Sequence, residues 1–245
     1  MPGGVPSQRV LAVADLNTYR AHAHILRNVA LWVGQREVVC LVGRNGAGKT
    51  TTMDSLMGLL PIRSGRIELN GKDITRMPAH ARAIHGIGYA PEDCGIFPDL
   101  TATENLGIAE WLAGGGKGNG ETGSALEHAY EVFPELNTFL SRRGLYLSGG
   151  EKKMLAIARA MTLRPSILLL DEAFEGLAPV VVQRFADAVQ KIKALGISLL
   201  IAESNIVSAA KVAERVYVID RGEILFEGTP QAAFENETVM KTIRG

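Results

Sequence analysis

Cysteine is scarce in this 245-residue chain, with only Cys40 and Cys94. Two thiols cannot build a disulfide framework, and neither stands in a Cys-x-x-Cys or Cys/His spacing that would hold a metal. One buried thiol and one loop thiol in a reducing cytosol are expected. Net charge is missing as well: 26 Lys and Arg balance 26 Asp and Glu. That balance excludes recruitment of nucleic acid or an anionic membrane by bulk positive charge, so any anion must be held by a local site. Long apolar runs are absent too. None exceeds five residues, Val38 to Val42 being one, against the ~20 needed to span a bilayer. Met1-Pro-Gly-Gly has neither the basic start nor the apolar stretch of a secretory signal. A soluble chain inside the cell is expected; if it works at a membrane, other chains do the spanning. What remains is ordinary globular usage, 47% hydrophobic and 21% charged, long enough for a sizeable core in one domain over 1–245.

Strands are expected first. Val10–Ala14 is apolar with turn-forming residues after it, Ile25–Val33 is largely apolar, and Val38–Val42 has the continuous pattern of a buried central strand. A helix is expected over 49–60, and Gly65–Lys72 reads as a strand entering an Asn-Gly turn. From about Pro91 to Leu163 the spacing becomes helical, interrupted by the glycine run Gly114–Gly120. No buried strand leads into that run and no Gly-Lys-Thr follows it, so it reads as a surface loop and not a phosphate loop. Ile167–Leu170, a helix near 179–195 and Ile197–Ala202 then alternate. A hairpin over Val216–Asp220 and Glu223–Glu227 and a short terminal helix end the chain. Alternating elements of this kind predict an α/β fold, a mostly parallel sheet covered by helices, with the helical stretch inserted into it.

Gly43-Arg44-Asn45-Gly46-Ala47-Gly48-Lys49-Thr50 is G-x-x-x-x-G-K-T between a buried strand and a helix. Its glycines let backbone N–H groups curl round phosphates, and the helix start adds positive potential. Lys49 is expected to reach the β- and γ-phosphates, and the Thr50 hydroxyl to ligate Mg²⁺. Thr51 follows in the same helix start and is counted with the nucleotide-binding set. A plain glycine turn would not explain the lysine.

Ile167-Leu168-Leu169-Leu170 runs into Asp171-Glu172, at the strand end where ligands gather in open α/β sheets. Asp171 is expected to orient Mg²⁺ through its water shell and Glu172 to polarise the attacking water. A third feature is Leu147-Ser148-Gly149-Gly150-Glu151, which opens a helix whose Met154, Ile157, Ala158 and Met161 share one face. Ser148 and Glu151 have capping-box spacing, and Gly149 and Gly150 leave the first N–H groups uncovered as a second anion site. One phosphate loop and one separate anion-binding helix end suggest that the second site serves another subunit's nucleotide.

In this order and spacing the three motifs resemble the ATP-binding subunit of ABC transporters over essentially the whole chain. Within that family, Glu175-Gly176-Leu177-Ala178-Pro179, Tyr89-Ala90-Pro91-Glu92 and Ile96-Phe97-Pro98-Asp99-Leu100-Thr101 look most like the smaller ATPase of branched-chain amino acid importers. The resemblance implies a P-loop NTPase of ABC ATPase type: a mixed-sheet core, an antiparallel β subdomain, and a helical subdomain inserted at about 91–163. It implies a dimer sandwiching two ATP molecules, each between one chain's phosphate loop and the other's Ser148-Gly149-Gly150. Tyr19 falls where the family stacks an aromatic ring on adenine. Glu92 falls in the loop that senses γ-phosphate and Mg²⁺ and faces the membrane subunits. Implied partners are a second ATPase subunit, permease subunits and a solute-binding protein, on the inner face of the cell membrane; nucleic acid is not among them.

Three positions depart from the wider family. Glu92 replaces the usual Gln, as the branched-chain subfamily commonly does, keeping an acceptor but losing the amide donor. Ala173 replaces the usual Pro after the acidic pair, giving the backbone more freedom. Ser204, in Ile201-Ala202-Glu203-Ser204-Asn205, replaces the His with which the family usually donates to the γ-phosphate, a position where the subfamily often has Gln, and its reach is much shorter. A slow ATP site and a heterodimer with a more active partner are therefore expected. The alternatives are a non-transport ATP switch acting on nucleic acid or ribosomes, and a P-loop kinase or GTPase. The first usually carries two ATPase units or a long coiled coil; the second has no use for the Ser148 helix.

Overall fold

Strands buried at every position must be covered on both faces, and that requirement organises the chain. The computed structural model describes residues 8–113 and 123–244; the glycine run at 114–120 and the residues 1–4 lie outside them. The chain opens with β1 (Arg9–Arg20), β2 (Ala23–Gly34), β3 (Val38–Val42), α1 (Lys49–Met57), β4 (Ile62–Leu69), β5 (Lys72–Asp73), α2 (Ala79–Ile84) and β6 (Ile87–Ala90). Three helices follow, α3 (Ala102–Ala113), α4 (Gly123–Val132) and α5 (Gly149–Met161). The chain then alternates through β7 (Ile167–Asp171), α6 (Pro179–Ala194), β8 (Ser198–Glu203), α7 (Ile206–Ala210) and β9 (Arg215–Asp220). It ends with β10 (Glu223–Gly228), α8 (Pro230–Glu235) and α9 (Glu237–Arg244).

The described strands form two sheets. One is antiparallel, in the order β2-β1-β4-β5; the other has the order β10-β9-β3-β8-β7-β6, parallel from β9 to β6. Alternation along the central strands divides the core. Val38, Cys40 and Val42 pack with Leu168, Leu170, Leu199 and Ile201 against the helices, whereas Val39 and Leu41 pack with Leu169 and Leu200 against α1 and the antiparallel sheet. β6 and β7 are parallel neighbours, yet α3, α4 and α5 lie between them in sequence.

Several boundaries differ from expectation for local reasons. β1 does not stop at Ala14. Asp15 takes a left-handed φ of 51° in a bulge, and Asn17 donates to the Asp15 carbonyl at 2.8 Å, so polar residues bend the strand without ending it. α1 ends three residues early because Gly58 closes it in a left-handed C-cap. The terminal helix is two helices, split at Asn236. The two thiols stand as expected, Cys40 on β3 and Cys94 in a turn, and the turn thiol is buried as well.

Candidate functional site

The parallel strands end together on one side of the sheet, and the polar groups gather there. β3 delivers the chain to Gly43, where an added Cβ would lie 2.4 Å from the Ile219 carbonyl, so the loop can pass only as glycine. Gly48 then adopts φ 115° as the N-cap of α1, a conformation costly for any other residue, and no side chain caps the helix. Its free N–H groups therefore remain for a ligand. Asn45, Gly46, Gly48, Lys49, Thr50 and Thr51 line a cavity of about 440 Å³ together with Ile25, Glu92, Glu172 and Glu175. Arg44 and Ala47 are not among the lining residues; the Arg44 carbonyl accepts from the Lys49 ammonium at 3.2 Å while the Arg44 side chain is exposed, and Ala47 packs in the core.

Lys49 is the pivot. Its ammonium donates to the Gly43 carbonyl at 2.8 Å and pairs with Glu172 Oε1 at 3.0 Å, with both side chains about 5% exposed or less. The other Glu172 oxygen accepts from the Ser204 N–H at 3.2 Å and the Ser204 hydroxyl at 3.3 Å. Thus the short side chain of Ser204 grips the carboxylate itself. Phosphate oxygens entering the loop would compete with Glu172 for Lys49 and release the carboxylate toward a water.

Asp171, at the end of β7, is 2% exposed, and both its carboxylate oxygens lack a hydrogen-bond partner. Burial pushes its pKa up to about 6; the nearby Thr50 hydroxyl and Lys49 pull it down, and Glu172 and Glu92 push it up. An orphaned buried carboxylate beside a threonine hydroxyl is the chemistry a divalent cation satisfies. No group of three or more His, Cys, Asp or Glu among the described residues could hold a metal alone. Mg²⁺, which keeps several waters and binds through one or two carboxylates plus phosphates, fits Asp171, Thr50 and Glu92.

Other expected residues stand outside this cavity. Ser148, Gly149 and Gly150 open α5 on an exposed surface, with the capping box formed in both directions. They line no part of the cavity that holds Lys49. Tyr19 stacks on His24, ring centroids 4.3 Å apart and planes parallel, and is 39% exposed. Its neighbour Arg20 bonds Thr51 at 3.3 Å and Asp54 at 2.7 Å, fastening the end of β1 to α1.

Sequence reasoning missed Ile25, Glu175, the Arg20–Asp54 pair, Lys153 and Glu203. Glu203 was discoverable: it is an acid ending a buried parallel strand, the same signal that marked Asp171. It is 1% exposed and accepts the Phe174 N–H at 3.0 Å.

Comparison with known proteins agrees with this geometry. The profile of a family described as "ABC transporter" matches residues 26–175. The chain is 33% identical to a probable branched-chain amino acid transport ATP-binding protein, LivF, of Archaeoglobus fulgidus, over 96% of this chain and 99% of that one. It is 35% identical to the lipopolysaccharide export system ATP-binding protein LptB of Haemophilus influenzae, over 96% and 97%. The crystal structure of the ADP conformation of MJ1267, an ATP-binding cassette of an ABC transporter, superposes with a TM-score of 0.85 at 25% identity, covering 98% of this chain and all of that one.

Proposed function

The chain belongs to the ABC transporter family as an ATP-hydrolysing subunit, and on that premise we propose that it powers an importer for branched-chain amino acids or a related small solute. The observation that carries the catalytic part is the convergence of Lys49 and Ser204 on the Glu172 carboxylate beside the phosphate loop. Lys49 and the start of α1 hold the phosphates, and Glu172 accepts a proton from the attacking water. Thr50, Asp171 and Glu92 would hold Mg²⁺, which neutralises charge on the β- and γ-phosphates. Tyr19 stacks on adenine, with its other face already covered by His24.

The exposed start of α5, which lines no part of the chain's own cavity, supports a sandwich dimer in which Ser148-Gly149-Gly150 completes the partner's ATP site. Closure on ATP and reopening after phosphate release pass through the loop around Glu92 to permease subunits. The chain sits on the inner face of the membrane, and none of its described helices is long and apolar enough to cross it. A solute-binding protein outside the membrane completes the importer. Ser204 in place of the familial His makes this ATP site slow, so the partner is a different, faster ATPase.

The importer reading rests on the runs Tyr89-Ala90-Pro91-Glu92 and Glu175-Gly176-Leu177-Ala178-Pro179. Lipopolysaccharide export is the second reading, favoured by the LptB relative of equal closeness. The nucleic-acid and ribosome switch gives way, because the relatives are transport ATP-binding proteins. Purification of the chain with its membrane partners, followed by ATPase assay in proteoliposomes, separates the two transport readings. Stimulation by a branched-chain amino acid with its binding protein supports import; stimulation by lipopolysaccharide alone overturns it. Within that complex, Lys49→Ala should leave most turnover intact, and loss of all activity while the equivalent partner substitution is harmless would refute the slow-site assignment.

A further inference from the structure

Glu172 stands in a conformation that its own chemistry disfavours. Its φ of 50° lies in the left-handed region, which a non-glycine residue occupies only when its surroundings over-determine it. Its own N–H donates to the Ala202 carbonyl at 3.0 Å, and the Glu175 N–H returns to the Glu172 carbonyl at 3.3 Å. Two further groups, from two different elements, hold the turn. The ammonium of Lys153, on α5, donates to the carbonyls of both Glu172 and Glu175, the latter at 2.9 Å. From β8, Glu203 Oε1 accepts the N–H of Phe174, between those two carbonyls, at 3.0 Å.

We propose that Lys153 and Glu203 are positioning residues for Glu172, clamping the turn over Glu172–Glu175 so that the carboxylate meets its water, and tying that alignment to α5. This rests on the ATPase reading above. Neither side chain lines the nucleotide cavity, so neither can act on the phosphates directly. Burying a carboxylate as deeply as Glu203, 1% exposed, is costly. Its bond to a backbone N–H beside the catalytic turn gives that cost a purpose. Glu203 also immediately precedes Ser204, so one strand end holds both the main chain and the carboxylate of the Glu172 region.

Lys153 is five residues beyond Ser148 on the same helix. Motion of α5, whose start receives the partner's nucleotide in the proposed dimer, is thereby transmitted to the Glu172–Glu175 turn through two hydrogen bonds, one to each end. Occupancy of one ATP site thus biases the general base of the other.

The test uses the chain assembled with its partners and an ATPase-silent partner subunit, so that only this site turns over. Lys153→Met keeps the aliphatic stem and removes the donors; Lys153→Arg restores donors. Glu203→Leu removes the acceptor, and Glu203→Gln keeps a carbonyl in its place. Loss of the Lys153 donors or of the Glu203 acceptor should lower kcat by roughly 10- to 100-fold in Lys153→Met and Glu203→Leu, with KM for ATP within about threefold of wild type. Lys153→Arg and Glu203→Gln should retain most of kcat. If either truncation fails to reach the wild-type melting temperature, Lys153→Gln, which keeps a shorter neutral donor, should give an intermediate kcat. Unchanged kcat in Lys153→Met, a rise in KM alone, or equal losses in the conservative variants would overturn the positioning role. Failure of the ATPase reading looks different: the wild-type site would show no turnover, or turnover would survive Lys49→Ala.

Discussion

Glu203→Gln should remove a pH-dependent loss of stability that the wild-type chain carries. Burial, reinforced by the charges of Glu172 and Glu175, pushes the Glu203 pKa from its ordinary 4.5 up to about 8, against the opposing effects of the Phe174 N–H and Lys153. Below pH 4.5 the group is protonated in both folded and unfolded chains, so its contribution is fully present. As pH rises, the unfolded chain releases the proton while the folded chain retains it, and stability falls at up to about 1.4 kcal/mol per pH unit until the folded group itself ionises. Between pH 4.5 and 7 the limit is about 3 kcal/mol. Gln mimics the protonated acid and still accepts from Phe174. Urea denaturation of the nucleotide-free full chain at intervals from pH 5 to 8.5 reads the difference. The two proteins should agree at the acid end and diverge steadily, with Glu203→Gln the more stable at pH 8. Parallel curves, or divergence confined to acid pH, would refute a raised carboxyl at this position.

Other outcomes follow from single contacts. Ser148→Ala breaks the capping box and should cost about 1 kcal/mol in thermal stability; ATP binding to the isolated chain should be unchanged while ATP-driven dimerisation weakens, read by calorimetry and light scattering. Asp171→Asn should abolish the tightening of ATP binding that Mg²⁺ produces, and EDTA should reproduce that loss in the wild type; persistent Mg²⁺ dependence in the variant would exclude Asp171 as a ligand. Gly48→Ala forces a Cβ onto a φ of 115° and to 3.0 Å from Leu26 Cδ2, so ATP affinity measured by fluorescence titration should fall at least tenfold, a loss of about 1.4 kcal/mol or more.

The parts legible in sequence were those encoded locally. Gly43–Thr50 is read through a strand, a loop and a helix that adjoin in the chain, and the Ser148–Glu151 box is set by a spacing of three residues. Asp171 was legible because a buried run ends in it. The extent of β1 was not, since Asp15 and Asn17 carry turn chemistry and only pairing with β2 and β4 converts that turn into a bulge. The clamp on Glu172 was invisible for another reason. Lys153 and Glu203 approach the turn from 19 and 29 residues away along the chain; the end of a buried run marks Glu203 as a candidate, but nothing local pairs it, or a half-buried helical lysine, with the main chain of that turn. The stack of Tyr19 on His24 depends likewise on the register of β1 with β2.

The central claim is that this chain's Glu172 drives hydrolysis of an ATP held between two subunits. Light scattering coupled to size exclusion of the Glu172→Gln chain, with its partner ATPase, in ATP and Mg²⁺ tests it most directly. The account requires a stable dimer retaining unhydrolysed ATP in this chain's site, dispersing when Lys49→Ala is added. Subunits that remain monomeric at saturating ATP, or a site that hydrolyses ATP at the wild-type rate without the carboxylate, would contradict it.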